Sequence, residues 1–428
     1  MLMSSLDALS KVRRYMLKTL WIISRFYAEE TGTGYSITRT AEGLARYYSV
    51  RVLCGQPDYV YHDRRAPSFE IVNGVQVFRS AATNFSNRNL LVKMLNMLTS
   101  SVSILWLVIK HVRRNQPVII VNLPPLLPLL TLPVSRLKGA RVSLLVHDVY
   151  PDSLVVAGVL PQNSRTQSVL SLVFNRLYRL AGNIIVLGRD MQSLLAAKTR
   201  WEESRIVVIP NTADVDQIHP VSREKNGLLK KLGLDGKFVV KYAGHMGRTH
   251  GLEMLVRGAE ILSELDPDIH LVFSGSGPKK AWLESTINCR KLNNVTITSF
   301  SPRAEIEDSL NACDIGVISM LPGMAGISVP GRIYDLLAAG KPVIAVTDAH
   351  SEIALLIREE KVGWVVEPED ISGLIVAIQS AKADPARLFE IGRRSRWVAE
   401  NKYARRYQVD AYYQLIERMC NLGSTHSG

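Results

Sequence analysis

One stretch constrains this chain more than any other: Gly326-Ile327-Ser328-Val329-Pro330-Gly331-Arg332-Ile333-Tyr334-Asp335-Leu336-Leu337-Ala338-Ala339-Gly340-Lys341-Pro342-Val343. It opens as a loop of small residues, where backbone N–H groups can approach an anion. A helix is expected from about Gly331 to Ala339. Gly340 suits its C-cap, Lys341 suits the negative helix end, and Pro342 stops it. Val343-Ile344-Ala345-Val346 then reads as a buried strand. A loop that feeds a helix N-terminus is an anion site, because unpaired N–H groups and the helix dipole both favour negative charge. Asp335, one turn into the helix, can accept hydrogen bonds from sugar hydroxyls beside a bound phosphate. The plainer alternative is an ordinary loop–helix–strand of an α/β domain.

The same scheme repeats along the chain. Leu20-Trp21-Ile22-Ile23, Val50-Arg51-Val52-Leu53, Val118-Ile119-Ile120-Val121, Val142 to Val146 and Ile184 to Leu187 are short apolar runs bounded by turns. A helix is expected from about Tyr35 to Tyr47, and Asn73-Gly74 predicts a hairpin. After residue 237 the alternation starts again, through Phe238 to Tyr242, His270 to Phe273, Val295 to Ile297, Ile315 to Ile318 and Trp364 to Val366. Such runs with helices between them predict parallel sheets covered on both faces. At 428 residues the chain exceeds one hydrophobic core, so two domains are expected.

Composition narrows the partners. The formal charge is +13 and the pI about 9.6, which favours an anionic partner. No basic run with interleaved aromatics occurs, so nucleic acid is set aside in favour of anionic lipid or phosphorylated substrates. Cys54, Cys289, Cys313 and Cys420 are scattered, which reads as reduced thiols in a cytosolic compartment. The N-terminus lacks a convincing signal peptide; its first fifteen residues read as an accessory basic helix, or as a leader to a start at Met16. From Asn89 to Arg114 runs an apolar helix bracketed by Lys93 and Lys110 and interrupted by Ser100, Ser101 and Ser103. It is expected to fall short of a bilayer span. It fits either a helix in the membrane interface or a buried core helix.

Asp335 followed by Leu-Leu-Ala-Ala-Gly-Lys-Pro-Val resembles the donor-site signature of retaining glycosyltransferases of family 4, which have the GT-B fold. Ser328-Val329-Pro330 is similar to the subgroup that builds O-antigen, capsule and colanic-acid-type polysaccharides. The signature has a first acid eight residues before the second; here Ile327 stands there. The resemblance implies an α/β chain of two Rossmann-like domains facing across a cleft. These would be residues 1–211 on the acceptor side and 212–399 on the nucleotide-sugar side. A last helix, within about 400–428, would cross back to the first domain. Pro210-Asn211-Thr212-Ala213-Asp214 resembles the family's linker.

The resemblance also implies roles. His147 and Asp148 follow a strand where the family's histidine faces the transferred sugar, and Asp148 could orient the ring. Gly32 and Gly34, in Glu30-Thr31-Gly32-Thr33-Gly34, resemble the family's glycine loop. His245 and His250 occupy the positions of the family's diphosphate-binding Arg and Lys, which leaves Arg248 as the expected cation and a candidate catalytic group with His147 and Asp148. Phe300 and Ser301 stand where the family reads the base. Gly326, Ile327, Ser328 and Val329 would hold the sugar through backbone N–H groups, and Asp335 the ribose. Asp214-Val215-Asp216 and Asp266-Pro267-Asp268 read as chance matches to a metal motif, so no metal and no cofactor is expected; the nucleotide sugar is a substrate. The implied activity is transfer of a sugar from a UDP-linked donor to a polyprenyl-diphosphate-linked saccharide, with retention, by a protein peripheral on the cytoplasmic face of the plasma membrane. Without its first acid, the site suits a deoxy or N-acetylated amino sugar. A nucleotide-sugar epimerase of the same fold and an inactive nucleotide-binding partner of an assembly complex remain open.

Overall fold

The structure is a computed structural model, and it describes residues 17–28, 32–57, 66–83 and 90–421. The expected N-terminal basic helix, and Glu30 and Thr31 of the glycine stretch, lie outside the described residues.

Two sheets organise the chain. The first contains β1 (Thr19–Ile23), β2 (Ser49–Cys54), β3 (Phe69–Val72), β4 (Val75–Arg79), β5 (Pro117–Val121), β6 (Arg141–Leu145), β7 (Asn183–Val186) and β8 (Ile206–Val208), in the order β3-β4-β2-β1-β5-β6-β7-β8. Its pairs are parallel except β3 with β4. That antiparallel pair is the expected hairpin: Asn73 and Gly74 both have positive φ, at 46° and 88°, as a type I′ turn requires. The second sheet contains β9 (Phe238–His245), β10 (Ile269–Ser276), β11 (Val295–Thr298), β12 (Ile315–Ser319), β13 (Val343–Val346) and β14 (Gly363–Val366), in the order β11-β10-β9-β12-β13-β14. All its pairs are parallel. Val118, Ile120 and Val121 of β5 are fully buried, as expected for a strand covered on both faces.

The order of each sheet reverses once, between β1 and β5 and between β9 and β12. Loops leaving the strand ends on either side of a reversal diverge and open a crevice where ligands bind. In the second domain those two loops are Gly244 to Gly251 and the one from Met320 into Gly326–Gly331. Ser319 Oγ donates to Gly251 O at 2.8 Å, and Leu321 N to Thr249 O at 3.0 Å, so the two loops are held together.

Helices cover both faces. Those that shape the cleft and the outer surface are α1 (Gly32–Leu44), α2 (Leu90–His111), α3 (Leu126–Leu137), α4 (Arg165–Leu180), α5 (Arg189–Thr199), α6 (Leu252–Leu265), α7 (Arg332–Ala338), α8 (Glu352–Glu360), α9 (Ile371–Ala383), α10 (Pro385–Lys402) and α11 (Arg405–Asn421). α1 starts three residues earlier than expected. Gly32, at φ +59°, turns the chain directly into the helix, so Gly32 and Gly34 belong to its first turn and not to a loop ahead of it. α7 ends as the sequence indicates, with Gly340 at φ +64° just beyond it. α11 packs on α1 and β5 of the first domain. Thr40 Oγ1 donates to Gln408 Oε1 at 2.8 Å and Tyr48 OH to Glu417 Oε1 at 2.8 Å. The chain passes between the domains twice, and the passes touch where Ala213 N donates to Tyr403 O at 2.8 Å.

α2 is inverted. Leu91, Met94, Leu95, Leu98, Val102, Trp106 and Ile109 form an exposed apolar stripe at helical spacing, while Asn96, Ser100 and Ser101 are buried beside Ile104 and Val108. By length and composition Leu91–His111 is sufficient to cross a bilayer, which corrects the expectation that it falls short; the serines cost less hydropathy than anticipated. One side of it is committed to the protein, packed against α3.

Candidate active site

The second domain brings Tyr242, His245, His250 and Arg332 together at its sheet reversal. Arg332, the first residue of α7, lays its guanidinium 4.5 Å from the Tyr242 ring centroid. Its other face lies against Gly244, where a Cβ would come within 2.8 Å of Arg332 Cζ; only glycine allows that approach. Arg332 Nη2 stands 3.2 Å from His250 Nε2, and Gly247 N donates to His250 Nδ1 at 3.2 Å. Burial, then the Arg332 charge, holds His250 down at about 3, so its ring is neutral. His245 is lowered for the same two reasons. The histidines therefore bring no positive charge at neutral pH. Arg248, the cation expected from sequence, is exposed and has no described side-chain partner. Gly277 closes the floor: a Cβ there would fall 2.5 Å from Met246 O, so the Ser274–Pro278 turn runs directly under the loop.

Asp335 lies in the first turn of α7. Burial pushes its carboxyl up to about 6; Arg303 opposes the rise and Asp214 adds to it. Arg303 follows Phe300 and Ser301, and ties three parts of the chain together. It donates to Asp214 Oδ2 at 2.5 Å and to Tyr35 OH at 3.0 Å, and it stacks 4.0 Å from the Tyr35 ring. Tyr35 OH in turn donates to Asp214. Asp214 is thus a junction residue, and the D-x-D string that contains it is not idle. Asp266, from the other string, pairs with Lys382 at 2.6 Å. Phe300, three residues before Arg303, is exposed.

The first domain supplies His147 and Asp148 at the end of β6. The chain bends at His147, just beyond the end of β6, and the two side chains take different directions. His147 turns inward: its Nε2 is buried without a partner, and burial lowers the ring to about 4. It lines a cavity of about 20 Å³, room for one water, together with Ser36, Thr40, Asn211 and Gln408. Asp148 turns outward and takes the hydrogen bond of the Ser328 side chain, with its carboxyl raised by burial to about 6. Asp148 therefore does not orient the His147 ring, contrary to expectation. Asn122 supports both, accepting from His147 N at 2.9 Å and donating to Asp148 O at 2.6 Å.

The two domains zip together along Gly326–Val329. Val149 N donates to Ile327 O at 2.9 Å, and Asp148 bridges Ser328. Gly326 N donates to Asp190 Oδ2 at 2.9 Å, and Ile327 N to Met324 O at 3.0 Å. Two of the N–H groups expected to cradle the sugar are therefore engaged by protein, and the Ile327 and Val329 side chains are buried in the core. Nearby, Arg189 on α5 grips Glu352 on α8 at 3.0 Å and Glu359 at 2.8 Å, closing the edge of the cleft.

The family description "Glycosyl transferases group 1" fits residues 225–402, and "Glycosyl transferase 4-like domain" fits residues 31–212. The chain belongs to the GT-B glycosyltransferases of family 4. Among curated relatives, the chain is 33% identical over 263 residues to "Probable glycosyltransferase WbjE" of Pseudomonas aeruginosa, covering 60% of this chain and 64% of that protein. It is 24% identical over 254 residues to "Putative colanic acid biosynthesis glycosyl transferase WcaI" of Escherichia coli K12, covering 58% and 61%. The matched stretches thus span less than two thirds of those relatives' own lengths. Sucrose-phosphate synthase of Thermosynechococcus elongatus superposes with a TM-score of 0.75 at 18% identity over 94% of this chain and 99% of that one. HepE of Anabaena, solved with UDP, superposes with a TM-score of 0.68 at 15% identity over 94% and 100%.

Arg332, Arg303 and Tyr35 were given no site role from the sequence, and Asp214 was read only as part of the linker and of a chance match to a metal motif. Arg332 carries a usable signal, since it is the only Lys or Arg between Gly326 and Gly340. The others meet only through the fold, across separations of 89 to 268 residues.

Proposed function

We propose that this chain transfers a sugar from a UDP-linked donor to a lipid-linked saccharide acceptor in bacterial surface polysaccharide synthesis, with retention of configuration. The observation that carries the reading is the cleft itself. Asp148 of one domain meets Ser328 of the other, beside a crevice that holds Asp335 and Arg332. WbjE and the colanic-acid relative support the polysaccharide setting, and the fold of the UDP-bound HepE supports a nucleoside diphosphate donor. In this reading Asp335 accepts from the ribose, Phe300 and Ser301 flank the base, and Asp148 faces the sugar, with His147 behind it in the first domain. Catalysis is then electrostatic stabilisation of the departing diphosphate by protein groups, together with positioning of the acceptor hydroxyl. We read it as independent of metal, so activity should survive EDTA.

The acceptor reading rests on the outer surface. No acidic residue occurs between Glu70 and Asp148, while nine Lys and Arg do. The exposed stripe of α2 lies within that segment, so an apolar face flanked by cations suits the anionic cytoplasmic surface of a membrane, with α2 lying in the interface. A panel of UDP-sugars, incubated with and without membrane lipid extract, tests the whole. UDP released only with acceptor, with the anomer kept by NMR, supports it. An epimerised sugar would indicate the epimerase, and bound UDP without turnover the inactive partner.

A further inference from the structure

The loop expected to hold the phosphate-binding charge carries histidines held neutral by burial and by the Arg332 charge, and Arg248 is exposed with no described partner. Arg332 is the cation packed into the site, and its arrangement is unbalanced in three ways. Nη1 is buried and meets no acceptor. Nη2 faces His250 Nε2, yet Gly247 N already donates to Nδ1 of the same ring. A neutral imidazole has one lone pair and one N–H, so it cannot accept from both donors. The guanidinium also has no described carboxylate partner, although it is packed between the Tyr242 ring and Gly244. Arg332 is partly buried, and a guanidinium nitrogen that is buried without an acceptor or a counter-ion is costly unless a ligand supplies one.

We propose that Arg332 is the cation that binds the diphosphate of the nucleotide-sugar donor, with His250 as its neighbour in the site. An anionic oxygen at the guanidinium supplies the missing counter-charge and frees His250 to accept from Gly247 alone. Arg332 is then also a specificity element, since a planar fork favours a phosphate over a neutral group. This inference rests on the nucleotide-sugar reading above. It goes beyond that reading in moving the charge from the loop after β9 to the start of α7.

The test compares ligands with and without phosphate. UDP, GDP and uridine are titrated by calorimetry into the full chain and into Arg332→Gln, Arg332→Lys and Arg248→Ala. The expected result is that Arg332→Gln weakens the wild type's preferred diphosphate at least tenfold. Uridine should bind as before, and Arg332→Lys should recover part of the loss. NMR of His250 should show UDP altering its ring nitrogens in the wild type but much less in Arg332→Gln. Unchanged diphosphate affinity in Arg332→Gln overturns the proposal. So does an equal loss for uridine, which would make the effect structural, or a loss seen in Arg248→Ala alone. If diphosphate binding depends on Arg332 but no UDP-sugar is turned over, the transferase reading fails and this inference stands. If transfer proceeds normally in Arg332→Gln, the inference fails and the transferase reading stands. If neither diphosphate binds the wild type, both fall.

Discussion

Two apolar helices, α2 in the first domain and α9 in the second, show that composition alone does not decide where a helix lies. α9 sinks its apolar positions into the core: Leu374 and Ile378 are fully buried, and Leu374 packs so closely on α6 that a Cβ at Gly258 would meet it at 3.1 Å. α2 does the reverse, with Leu91 79% and Trp106 66% exposed while Asn96 and Ser100 face the protein. The difference is one of neighbours. α9 lies between α6 and α10, whereas α2 rests by one side on α3 and β2 and has no helix on its other side among the described residues. An exposed apolar stripe this long marks something that covers it.

The same chemical change should therefore act oppositely on the two helices. Leu374→Asp buries an unpaired carboxylate and should cost more than about 4 kcal/mol, enough to unfold the second domain in a thermal melt. Leu98→Asp on α2 should shift stability by no more than about 0.5 kcal/mol. It should nonetheless lower binding to anionic vesicles at least tenfold in flotation, more so when combined with Trp106→Ser. If Leu98→Asp melts the protein and leaves flotation intact, α2 is a core helix and the contrast is lost.

The fold was largely legible because its signals are local. Apolar runs bounded by turns gave the strands, Asn73-Gly74 gave the hairpin, and Gly340-Lys341-Pro342 gave the end of α7. The start of α1 was not legible: helix signals before Tyr35 are masked by Gly32 and Gly34, which a sequence reader assigns to a loop because glycine is a poor helix former. The site was legible in outline and misread in its charges. Local spacing pointed to Arg248, but tertiary packing brings Arg332 against Tyr242 and His250. Asp148 reads in the sequence as a partner of its neighbour His147, yet after β6 the chain bends at His147, whose ring lines an internal cavity, while Asp148 bridges Ser328 of the other domain. Asp214 read as a chance motif because Tyr35 and Arg303, which give it its place, are far away in sequence.

The electrostatic half of the contrast is open to a smaller test. Lys110, Arg113 and Arg114 are exposed at the C-terminal end of α2. Replacing each by Ala should weaken vesicle binding by about 1 kcal/mol at low salt. The three losses should shrink together toward nothing by about 0.5 M salt, where screening is nearly complete over 10 Å. UDP affinity should stay as it was, because these residues are not among those that form the cleft. A salt-independent loss would mean that the three side chains hold α2 in place and do not address a charged surface.

The smallest expected effect contrasts the acids that the two domains bring to the cleft. Asp148 and Asp335 both have carboxyls raised to about 6, each chiefly by burial. A raised carboxyl means that the folded state takes up its proton more readily than the unfolded chain. Ionising such a group costs folded stability above its unfolded value, and the cost is relieved as pH falls through about 6. Asp335→Asn should therefore raise the melting temperature at pH 8 and have little effect on it at pH 4. Binding runs the other way if Asp335 accepts from the ribose. The ionised carboxylate is the better acceptor, so UDP affinity should fall about threefold between pH 7 and pH 5.5, where most of a group titrating near 6 is protonated. Asp335→Asn should start weaker and lose that slope, while 2′-deoxy-UDP should show a shallower slope with the wild type. Asp148→Asn should leave the slope of UDP binding in place, because its carboxyl faces Ser328 and the sugar side. A slope that follows Asp148 and ignores Asp335 would move the titrating group, and the ribose contact with it, to the first domain.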